Sequence, residues 1–485
     1  MNQRILLSSI VTIGLLILVG CSPKAETTDG RPPNIIYILA DDLGYGDLSS
    51  WGNTHFSTPH LDALNSSGMR FTQHYSGSTV CAPSRSCLMT GLHTGHTPIR
   101  GNKEIQPEGQ EPLPDATLTL PEILKSKGYV TGAFGKWGLG FPGSEGDPLN
   151  QGFDEFYGYN CQRFAHNYYP YHLWHNDQRI ELEENAGTSE GRYAPTLIQK
   201  ETLAFIETNK DEPFFCFVPH VIPHAEMFAP EEYMERFRGK FLPESTYEGA
   251  DEGHERYRAG GYGSQSEGHA AFAAMVTMLD DHVGQIVAKI NELGLARNTL
   301  IIFSSDNGPH QEAGHDPAYF NSNGGLRGVK RDLYEGGIRV PMIASWPGVI
   351  EPDSQSDHQS AFWDVLPTVA EAAGVSAPEH VDGISFLPTL IGEGHQVEHE
   401  YLYWEFHERG GRQGIRKGDW KGVKYGINEV PNAPLELYNL SDDPRETTNL
   451  AAQHPEIVSE LEALMKSANT PSSIEKFNFS PPSAN

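Results

Sequence analysis

Residues 79–91 carry a cysteine and an arginine in a spacing that suits chemistry on an anion. Pro83 followed by Ser84 can open a helix, because proline is tolerated in the first turn. Cys81 would then lie just before the helix N-terminus, where free N–H groups and the helix dipole attract anions. Arg85 lies about one turn further on and can grip an oxyanion with two N–H donors. The segment therefore predicts a nucleophile beside an anion-binding site.

A second set of residues offers only oxygen donors. Asp41 and Asp42 follow one apolar run, and Asp306 and Asn307 follow another. Oxygen-rich, sulfur-free ligand sets suit Ca²⁺ or Mg²⁺ rather than Zn²⁺. Taken alone, adjacent carboxylates are more often solvated than ligating, and Asp-Asn-Gly at 306–308 is also a strong turn sequence. The two pairs can close on one ion if their strands are neighbours.

Apolar runs predict the elements that position these side chains. Four runs have the pattern of buried strands, and three amphipathic stretches between them have the pattern of helices. Strands that alternate with helices imply an α/β fold with a largely parallel sheet and helices on both faces. The predicted strands are 34–40, 129–134, 214–218 and 299–303, and the predicted helices are 118–127, 195–209 and 269–293.

Each predicted strand is followed by a polar side chain that could take part in a site. The first ends at Asp41, the second at Lys136, and the fourth at Asp306. The third ends at His220 and leads to His224. Sites in parallel sheets form beyond the carboxyl ends of the strands. Any one of these ends could be a surface turn, but four coincident ends favour a site.

The N-terminal residues 1–20 have the composition of an export signal, with Arg4 before an apolar stretch too short to span a membrane. A small residue before Cys21 resembles the bacterial lipobox, in which this cysteine becomes the lipidated first residue. A plain cleaved signal is the alternative. Residues 21–33 are polar and suit a flexible tether. We therefore expect an exported bacterial lipoprotein, held by its lipid at the outer membrane, in the periplasm or at the cell surface.

Composition excludes several classes of protein. The 485 residues include 35 Lys+Arg against 64 Asp+Glu, a net charge of −29. That balance argues against a nucleic-acid partner, which needs many basic phosphate contacts. A local cluster of cations can still bind an anionic substrate, because charges are screened over roughly 8 Å. Five cysteines exclude a disulfide-built scaffold. One disulfide among Cys87, Cys161 and Cys216 stays possible.

Residues 79–91 resemble the signature of the formylglycine-dependent sulfatases of the alkaline phosphatase superfamily, Cys-x-Pro-x-Arg followed by Thr-Gly. The resemblance covers nearly the whole mature chain. It implies an α/β fold with a large mixed, mostly parallel sheet flanked by helices, and a smaller C-terminal antiparallel-sheet subdomain. We expect the catalytic domain at 34–390, the small α+β subdomain at 391–470 and a flexible tail at 471–485. The matching residues are Cys81, Pro83, Arg85, Thr90 and Gly91, then Asp41-Asp42, Gly135-Lys136-Trp137, Ile222-Pro223-His224, Ser305-Asp306-Asn307-Gly308 and 326–330.

The resemblance also implies a mechanism. In this family a maturating enzyme oxidises the signature cysteine, here Cys81, to formylglycine (3-oxoalanine). One oxygen of its hydrate attacks sulfur and the other later expels sulfate. His224 would protonate the leaving oxygen as a general acid with a pKa near its ordinary value of ~6.5. Arg85, Lys136 and Lys330 would neutralise the remaining charge. Ca²⁺ rather than Mg²⁺ would be held by Asp41, Asp42, Asp306 and Asn307, with the Cys81-derived oxygen completing the ligand shell.

One position departs from the family pattern. Many relatives carry histidine two positions after the lysine, where this chain has Gly138. In those relatives the histidine contacts the formylglycine hydrate and is the base assigned to its collapse. His220, His310 or a water could take over that role here.

The substrate pocket is expected in two segments. Residues 156–175 are dense in aromatic and histidine side chains, which suits stacking on sugar rings; a packed insertion with buried aromatics is an equal alternative. Relatives bring one edge of the small sheet, here within 401–421, to the pocket. The loop with His310 and His315 could instead be a flexible lid. The candidate substrate contacts are Arg163, His166, His220, His310, His407 and Gln413.

These features lead to three hypotheses. The first is a sulfuric ester hydrolase that acts on a sulfated carbohydrate, such as an oligosaccharide derived from a polysaccharide. The second is a phosphodiester or phosphonate hydrolase of the same superfamily, although no second cluster of His and Asp with suitable spacing is visible. The third is a non-catalytic glycan-binding lipoprotein with an unmodified Cys81, towards which only Gly138 points.

Overall fold

The computed structural model describes residues 30–430 and 432–480. The predicted export signal 1–20, the lipidation candidate Cys21 and most of the predicted tether 21–33 lie outside these residues. Within the described ranges, no helix combines the length and the apolar composition that crossing a membrane requires.

The strands are numbered along the chain. They are β1 (Asn34–Ala40), β2 (Met69–Phe71), β3 (His74–Tyr75), β4 (Val130–Lys136), β5 (Glu155–Tyr159), β6 (His172–His175), β7 (Gln178–Glu181), β8 (Phe214–Pro219), β9 (Thr299–Ser305), β10 (Met342–Ser345), β11 (Ser354–Ser356), β12 (Ser360–Ala361), β13 (Leu402–Phe406), β14 (Arg412–Lys417), β15 (Trp420–Tyr425) and β16 (Leu435–Asn439). The four strands predicted from apolar runs are β1, β4, β8 and β9.

Ten strands form one mixed sheet in the order β11-β2-β10-β9-β1-β8-β4-β5-β6-β7. β1 pairs in parallel with β8 on one side and with β9 on the other. β4 continues the parallel part beyond β8 and pairs in parallel with β5. β10 is antiparallel to β9, and β6 is antiparallel to β5. The predicted large, mostly parallel sheet is confirmed.

Burial along β1 explains its continuous apolar sequence, because every residue of this strand is buried. Ile35 and Tyr37 belong to the core on one face of the sheet, and Ile36 and Ile38 belong to the core on the other. A strand that is covered on both faces needs apolar side chains at every position.

Helices supply the two covering layers. The first core includes side chains of the helices at 81–90, 120–125 and 365–372, and the second includes side chains of the helices at 194–208 and 268–292. The helices are α1 (Pro59–Ser66), α2 (Cys81–Thr90), α3 (Leu120–Lys125), α4 (Ala194–Thr208), α5 (Glu231–Met234), α6 (Gly268–Glu292), α7 (Pro317–Phe320), α8 (Glu335–Ile338), α9 (Val365–Ala372), α10 (Leu387–Ile391) and α11 (Pro455–Ala468).

The strand register brings the polar strand ends to one edge of the sheet. Ala40 at the end of β1 is paired with Ser305 at the end of β9. Asp41 and Asp306 therefore leave the sheet side by side. Leu39 is paired with Pro219 at the end of β8, which positions the chain that leads to His224 on the other side of β1.

The C-terminal part forms a second, smaller sheet, β13-β14-β15-β16, which is antiparallel throughout. Side chains of α11, such as Leu461 and Met465, share a small core with this sheet. The predicted antiparallel subdomain is confirmed.

The structure differs from the expected flexible tail over residues 471–480. Phe477 is buried in the main core, and Lys476 Nζ donates a hydrogen bond to the carbonyl of Asn102 at 2.8 Å. One aromatic side chain within a Ser- and Pro-rich stretch is enough to dock it. Cys81, Cys87, Cys161 and Cys216 are buried free thiols, so no disulfide forms among the cysteines of the described residues.

A buried ion triad joins the small sheet to the larger domain. Lys421 Nζ on β15 lies 2.7 Å from Glu335 Oε1 at the start of α8 and 3.2 Å from Glu446 Oε1. All three side chains are fully buried. Removing one partner of a buried ion pair leaves an uncompensated charge, which is strongly destabilising.

We expect Lys421→Met to lower the free energy of unfolding by about 3–5 kcal/mol, because Glu335 loses its nearest cation. Urea titration followed by tryptophan fluorescence measures the change. Lys424→Met is the matched control on the same strand, since its pair with Glu462 is partly exposed and such pairs contribute about 0–1 kcal/mol. Equal losses in the two variants would contradict a special role for the triad.

Candidate active site

Cys81 lies where three strand ends meet. It is the first residue of α2, whereas the sequence predicts it just before the helix N-terminus. Its Sγ lies 3.4 Å from Oδ1 of Asp41, the residue directly after β1. The same sulfur lies 3.5 Å from Nζ of Lys136, which is the last residue of β4. Lys136 Nζ also donates to Asp41 Oδ2 at 2.7 Å. The predicted nucleophile therefore sits between a carboxylate and an ammonium group.

Arg85 contacts the acidic cluster instead of presenting a free fork to an anion. Its Nη2 and Nε donate to Asp306 Oδ2 at 2.9 and 3.2 Å, and its Nη1 donates to the carbonyl of Lys136. The guanidinium is fully buried. These contacts hold Asp306 and the end of β4, and the contact of Arg85 with an oxyanion stays a prediction.

Asp42 forms the centre of the second half of the site. Its φ of +65° lies in the left-handed region, which turns the chain sharply after β1. Its Oδ2 accepts a hydrogen bond from Lys330 Nζ at 2.7 Å, and its Oδ1 accepts one from Asn307 Nδ2 at 2.7 Å. Lys330 Nζ also lies 3.1 Å from His224 Nε2 and 3.3 Å from Glu312 Oε2.

Mutual charges decide the ionisation of this cluster. Burial by itself raises the pKa of Asp41, but the ammonium of Lys136 and the guanidinium of Arg85 bring it below its ordinary value. Lys330 does the same for the pKa of Asp42. Burial and the neighbouring Asp41 carboxylate raise the pKa of Asp306 to about 7. Three buried cations thus face three buried carboxyl groups.

The site fits a hard divalent cation. Asp41, Asp42, Cys81 and His224 each offer one ligand atom, and these atoms lie within 4.8 Å of one another. Asn307 Oδ1 is buried and has no hydrogen-bond partner in the described part of the chain. Carboxylate and amide oxygens are the ligands that Ca²⁺ prefers. An orphaned amide oxygen beside a carboxylate cluster is what an oxygen-ligated ion would satisfy.

His224 differs from the expectation of an ordinary pKa. Burial and the ammonium of Lys330 hold the pKa of His224 well below its usual value. Its Nδ1 lies within hydrogen-bond distance of the Ala225 carbonyl, which leaves Nε2 to face Lys330. His166 stacks against it at 5.0 Å between ring centroids. Lys330 Nζ is therefore placed to donate a hydrogen bond to Nε2 of a neutral His224 ring.

A polar pocket of about 290 Å³ opens onto Cys81. Arg163 and His166 from the 156–175 segment line it, and Lys330 and His224 form part of its wall. Nothing in the sequence singled out the other lining residues, although one of them, Gln162, lies within the 156–175 segment. They are Asn102, Glu104, Gln110, Gln162, Arg256, Tyr262, Arg331 and Lys476.

Three predicted contacts lie elsewhere. His220 Nε2 lies 3.1 Å from His282 Nδ1 on α6, so its ring turns towards the covering helix. His407 stacks on Phe479 at 4.4 Å, and Gln413 Nε2 donates to the Tyr403 hydroxyl at 2.6 Å. All three side chains therefore contact residues that do not line the pocket.

His310 borders the site without lining the pocket. Its ring centroid lies 5.9 Å from that of His224, and its Nε2 donates to the Pro223 carbonyl at 3.0 Å. His310 and His315 are both buried, so their loop is packed, which corrects the expectation of a flexible lid. His310 thus supports the segment that carries His224.

Comparison with known proteins agrees with this geometry. The sequence model of the Sulfatase family matches residues 33–375, and that of the N-sulphoglucosamine sulphohydrolase C-terminal region matches 328–470. The N-acetylgalactosamine-6-O-sulfatase of Bacteroides thetaiotaomicron is 30% identical, over 94% of this chain and 98% of that protein. Arylsulfatase A of Homo sapiens is 31% identical, over 90% of this chain and 87% of that protein.

Solved structures agree as well. The crystal structure of Ps i-CgsB in complex with k-i-k-neocarrahexaose superposes with a TM-score of 0.75 at 27% identity, over 91% of this chain and 94% of that one. The family match covers well over half of the 485 residues. The chain therefore belongs to the formylglycine-dependent sulfatases of the alkaline phosphatase superfamily, and it is a sulfatase.

Proposed function

We propose that this sulfatase removes sulfate from a sulfated carbohydrate, such as an oligosaccharide derived from a polysaccharide. The observation that carries the proposal is the pocket onto which Cys81 opens, with buried Lys136 at 3.5 Å from its sulfur and Lys330 in the wall. Two relatives support the substrate class. One is named an N-acetylgalactosamine-6-O-sulfatase, and the other was solved with neocarrahexaose.

Charge at the pocket mouth supports an anionic carbohydrate. Arg163, Arg256, Arg331 and Lys476 line the pocket of a chain whose net charge is −29. Cations gathered within a Debye length of each other outweigh the distant negative field, since screening acts over roughly 8 Å. Tyr262 and His166, whose rings lie 4.9 Å apart, add flat surfaces on which a sugar ring can pack.

We also propose that Cys81 is converted to formylglycine by a maturating enzyme. Burial raises the pKa of the Cys81 thiol well above its ordinary value, so an unmodified thiol would stay protonated and weakly nucleophilic at neutral pH. The hydrate of an aldehyde supplies a hydroxyl nucleophile instead. Cys81 is 2% exposed, which means that the maturating enzyme needs the segment before it is packed.

The cation of this site is proposed to be Ca²⁺, held by Asp41, Asp42, Asp306 and Asn307. The chemistry that Ca²⁺ supplies when bound is neutralisation of charge on the nucleophile and the sulfuryl oxygens. Lys136 and Lys330 contribute further positive charge at hydrogen-bonding distance from the same carboxylates. Arg85 fixes Asp306 from behind through two N–H donors.

His224 is proposed to deliver the proton to the leaving oxygen. Its Nε2 faces Lys330 Nζ at 3.1 Å, and both groups line the pocket. Burial and the ammonium of Lys330 hold the pKa of His224 well below its usual value, so the ring is neutral before substrate binds. A bound sulfate ester would raise this pKa, because a nearby negative charge favours the protonated form. Burial opposes the charged form of Lys330, but Asp42 and Glu312 raise its pKa well above the ordinary value, so Lys330 keeps its own proton.

The N-terminal segment completes the proposal. Residues 1–20 are proposed to direct export and Cys21 to carry a lipid, which would anchor the enzyme as a bacterial lipoprotein at the outer membrane, in the periplasm or at the cell surface. A surface-anchored enzyme would meet polysaccharide fragments outside the cytoplasm.

A panel of sulfated oligosaccharides from algal and animal glycans tests the proposed function, with released sulfate as the readout. A phosphodiester and a phosphonate ester are assayed beside it. Turnover of at least one sulfated oligosaccharide above both comparison substrates supports the proposal. Faster turnover of the phosphodiester would replace it with the second hypothesis, and an intact thiol at Cys81 in active material from the native host would contradict the formylglycine.

Changing His224 to alanine is expected to lower kcat on a sulfated sugar by about 10²- to 10⁴-fold. A nitrophenyl sulfate should lose less than about 10-fold, because a weakly basic leaving group needs no proton in the transition state. Steady-state kinetics on the two substrates measures the split. His282→Ala, which removes a buried histidine on α6, is the control. Equal losses on both substrates would remove the general-acid role.

A further inference from the structure

Gln162 is a buried side chain of the pocket, and its amide has no partner among the residues that the structure describes. It follows β5 by three residues, lines the same pocket as Cys81 and is 7% exposed. Neither its Nε2 nor its Oε1 makes a hydrogen bond within the described residues. A buried amide without hydrogen-bond partners destabilises the folded protein, because it has lost water and gained nothing in return. Such an amide at a substrate pocket indicates that its partner arrives with the ligand.

Gly138 leaves free the space that the Gln162 amide occupies. A Cβ at position 138 would lie 2.0 Å from Gln162 Nε2, and the φ of Gly138 is +77°. Only glycine therefore leaves room for the amide and adopts this backbone conformation without strain. The amide of Gly138 donates to the Asn160 carbonyl at 3.0 Å, and Trp137 N donates to the Tyr159 carbonyl at 2.9 Å. The β4–β5 pairing thus continues past both strands and fixes the two segments together.

The position of Gly138 indicates which part of the substrate the Gln162 amide contacts. Gly138 follows Lys136 by two residues, and Lys136 Nζ lies 3.5 Å from Cys81 Sγ. Gln162 Nε2 packs directly over this backbone. The amide is therefore tied to the end of the pocket that holds the nucleophile and the cations, where the sulfuryl group of a substrate must be.

We propose that Gln162 Nε2 donates a hydrogen bond to a sulfuryl oxygen of the bound substrate, which makes Gln162 a catalytic residue of this enzyme. The proposal rests on the proposed function. A carboxamide offers two N–H donors and does not titrate at neutral pH. Gln162 therefore binds the sulfuryl group and stabilises its charge but transfers no proton. It fills the space beside Gly138 without supplying a base.

Two substitutions at Gln162 test the contact. Gln162→Ala removes the donor, and we expect kcat/KM on a sulfated substrate to fall about 10- to 100-fold. Gln162→Glu keeps the size but adds a carboxylate that repels the sulfuryl group, so a larger loss is expected. Inorganic sulfate is the probe of the contact itself, and its inhibition constant should rise in both variants and more in Gln162→Glu.

A third variant approaches the amide from its neighbour. Gly138→Ala should displace Gln162 Nε2 and weaken inhibition by sulfate in the same direction, without altering Gln162. Gln199→Ala is the matched control, since Gln199 is a buried glutamine on α4 outside this pocket. It should leave kcat/KM and sulfate inhibition within about twofold of the wild type. Thermal unfolding of each variant identifies any loss that comes from misfolding.

The outcomes separate the two proposals. If the wild type hydrolyses sulfated oligosaccharides and folded Gln162→Ala and Gln162→Glu bind inorganic sulfate as tightly as the wild type, the role of Gln162 is overturned and the proposed function stands. If the wild type neither hydrolyses sulfate esters nor binds sulfate, the proposed function fails and the role of Gln162 fails with it. Should both Gln162 variants misfold, unchanged sulfate inhibition in folded Gly138→Ala overturns the proposal, and weakened inhibition supports it.

Discussion

Cys81→Ala is expected to lower kcat/KM for a sulfated oligosaccharide by about 10⁴-fold or more, the scale on which loss of a covalent nucleophile acts in other hydrolases. The fold should survive, because alanine removes only the group beyond Cβ, whether thiol or aldehyde, at the first residue of α2. Asp41 and Lys136 would keep their 2.7 Å contact, so the charged surroundings would stay intact while the reacting atom is gone. Released sulfate, measured over hours, sets the limit on residual turnover.

Cys216→Ala provides the matched control for this substitution. Cys216 is equally buried, but it lies within β8 in the core that α4 and α6 cover. Its replacement should cost some stability and leave kcat/KM within about twofold of the wild type. Mass spectrometry of the peptide that contains Cys81 completes the test. A Cys81→Ala enzyme with wild-type turnover would end the nucleophile assignment.

Much of the site could be predicted because its ligands stand at the ends of apolar runs. A strand buried on both faces must be apolar throughout, so the first polar residue after it marks the edge of the sheet. Asp41 and Asp306 were predicted from this pattern, and the register of Ala40 with Ser305 brings them together. The pairing itself could not be predicted, because neighbouring strands in the sheet are distant in sequence.

Side-chain direction limited the rest of the prediction. His220 also follows a strand directly, yet its ring points to His282 on α6 and away from the pocket. Arg85 looked free for an anion, but its partner Asp306 lies 221 positions away in the sequence. Gln162 lies in the 156–175 segment that the sequence did mark, but nothing distinguished it from its neighbours, since its place depends on how the β4 and β5 segments continue past their strands.

The tail shows the same limitation at the level of packing. Its polar, Ser- and Pro-rich composition predicts disorder, but Phe477 is buried in the main core. That contact brings Lys476 to the pocket, where it lies with Arg163. The positive charge of Lys476 at the pocket thus comes from a segment whose composition gave no reason to place it there.

Asp306→Asn is expected to lower kcat/KM by about 10³-fold, since the substitution removes a ligand charge from the proposed Ca²⁺ site. The variant keeps the shape of the side chain. Arg85 would lose the carboxylate that accepts its Nη2 and Nε donors at 2.9 and 3.2 Å. Asn307 Oδ1, which is buried and has no hydrogen-bond partner within residues 30–430 and 432–480, would remain unsatisfied when the ion is lost.

A stability measurement separates ion binding from catalysis. A ligand that binds only the folded state stabilises it by about 2.7 kcal/mol at a concentration 100 times its dissociation constant. The wild type, stripped with a chelator, should therefore unfold at a higher temperature when Ca²⁺ is restored. Asp306→Asn should lose most of this increase, because the ion binds the variant weakly.

Asp280→Asn distinguishes this effect from the general cost of changing a buried carboxylate. Asp280 accepts hydrogen bonds from the backbone of His60 and Leu61 at the start of α1, remote from the site. Its replacement should lower the unfolding temperature but preserve both the Ca²⁺-dependent increase and turnover. If Asp306→Asn kept the full Ca²⁺-dependent increase in unfolding temperature, the ion would bind somewhere other than between the ends of β1 and β9.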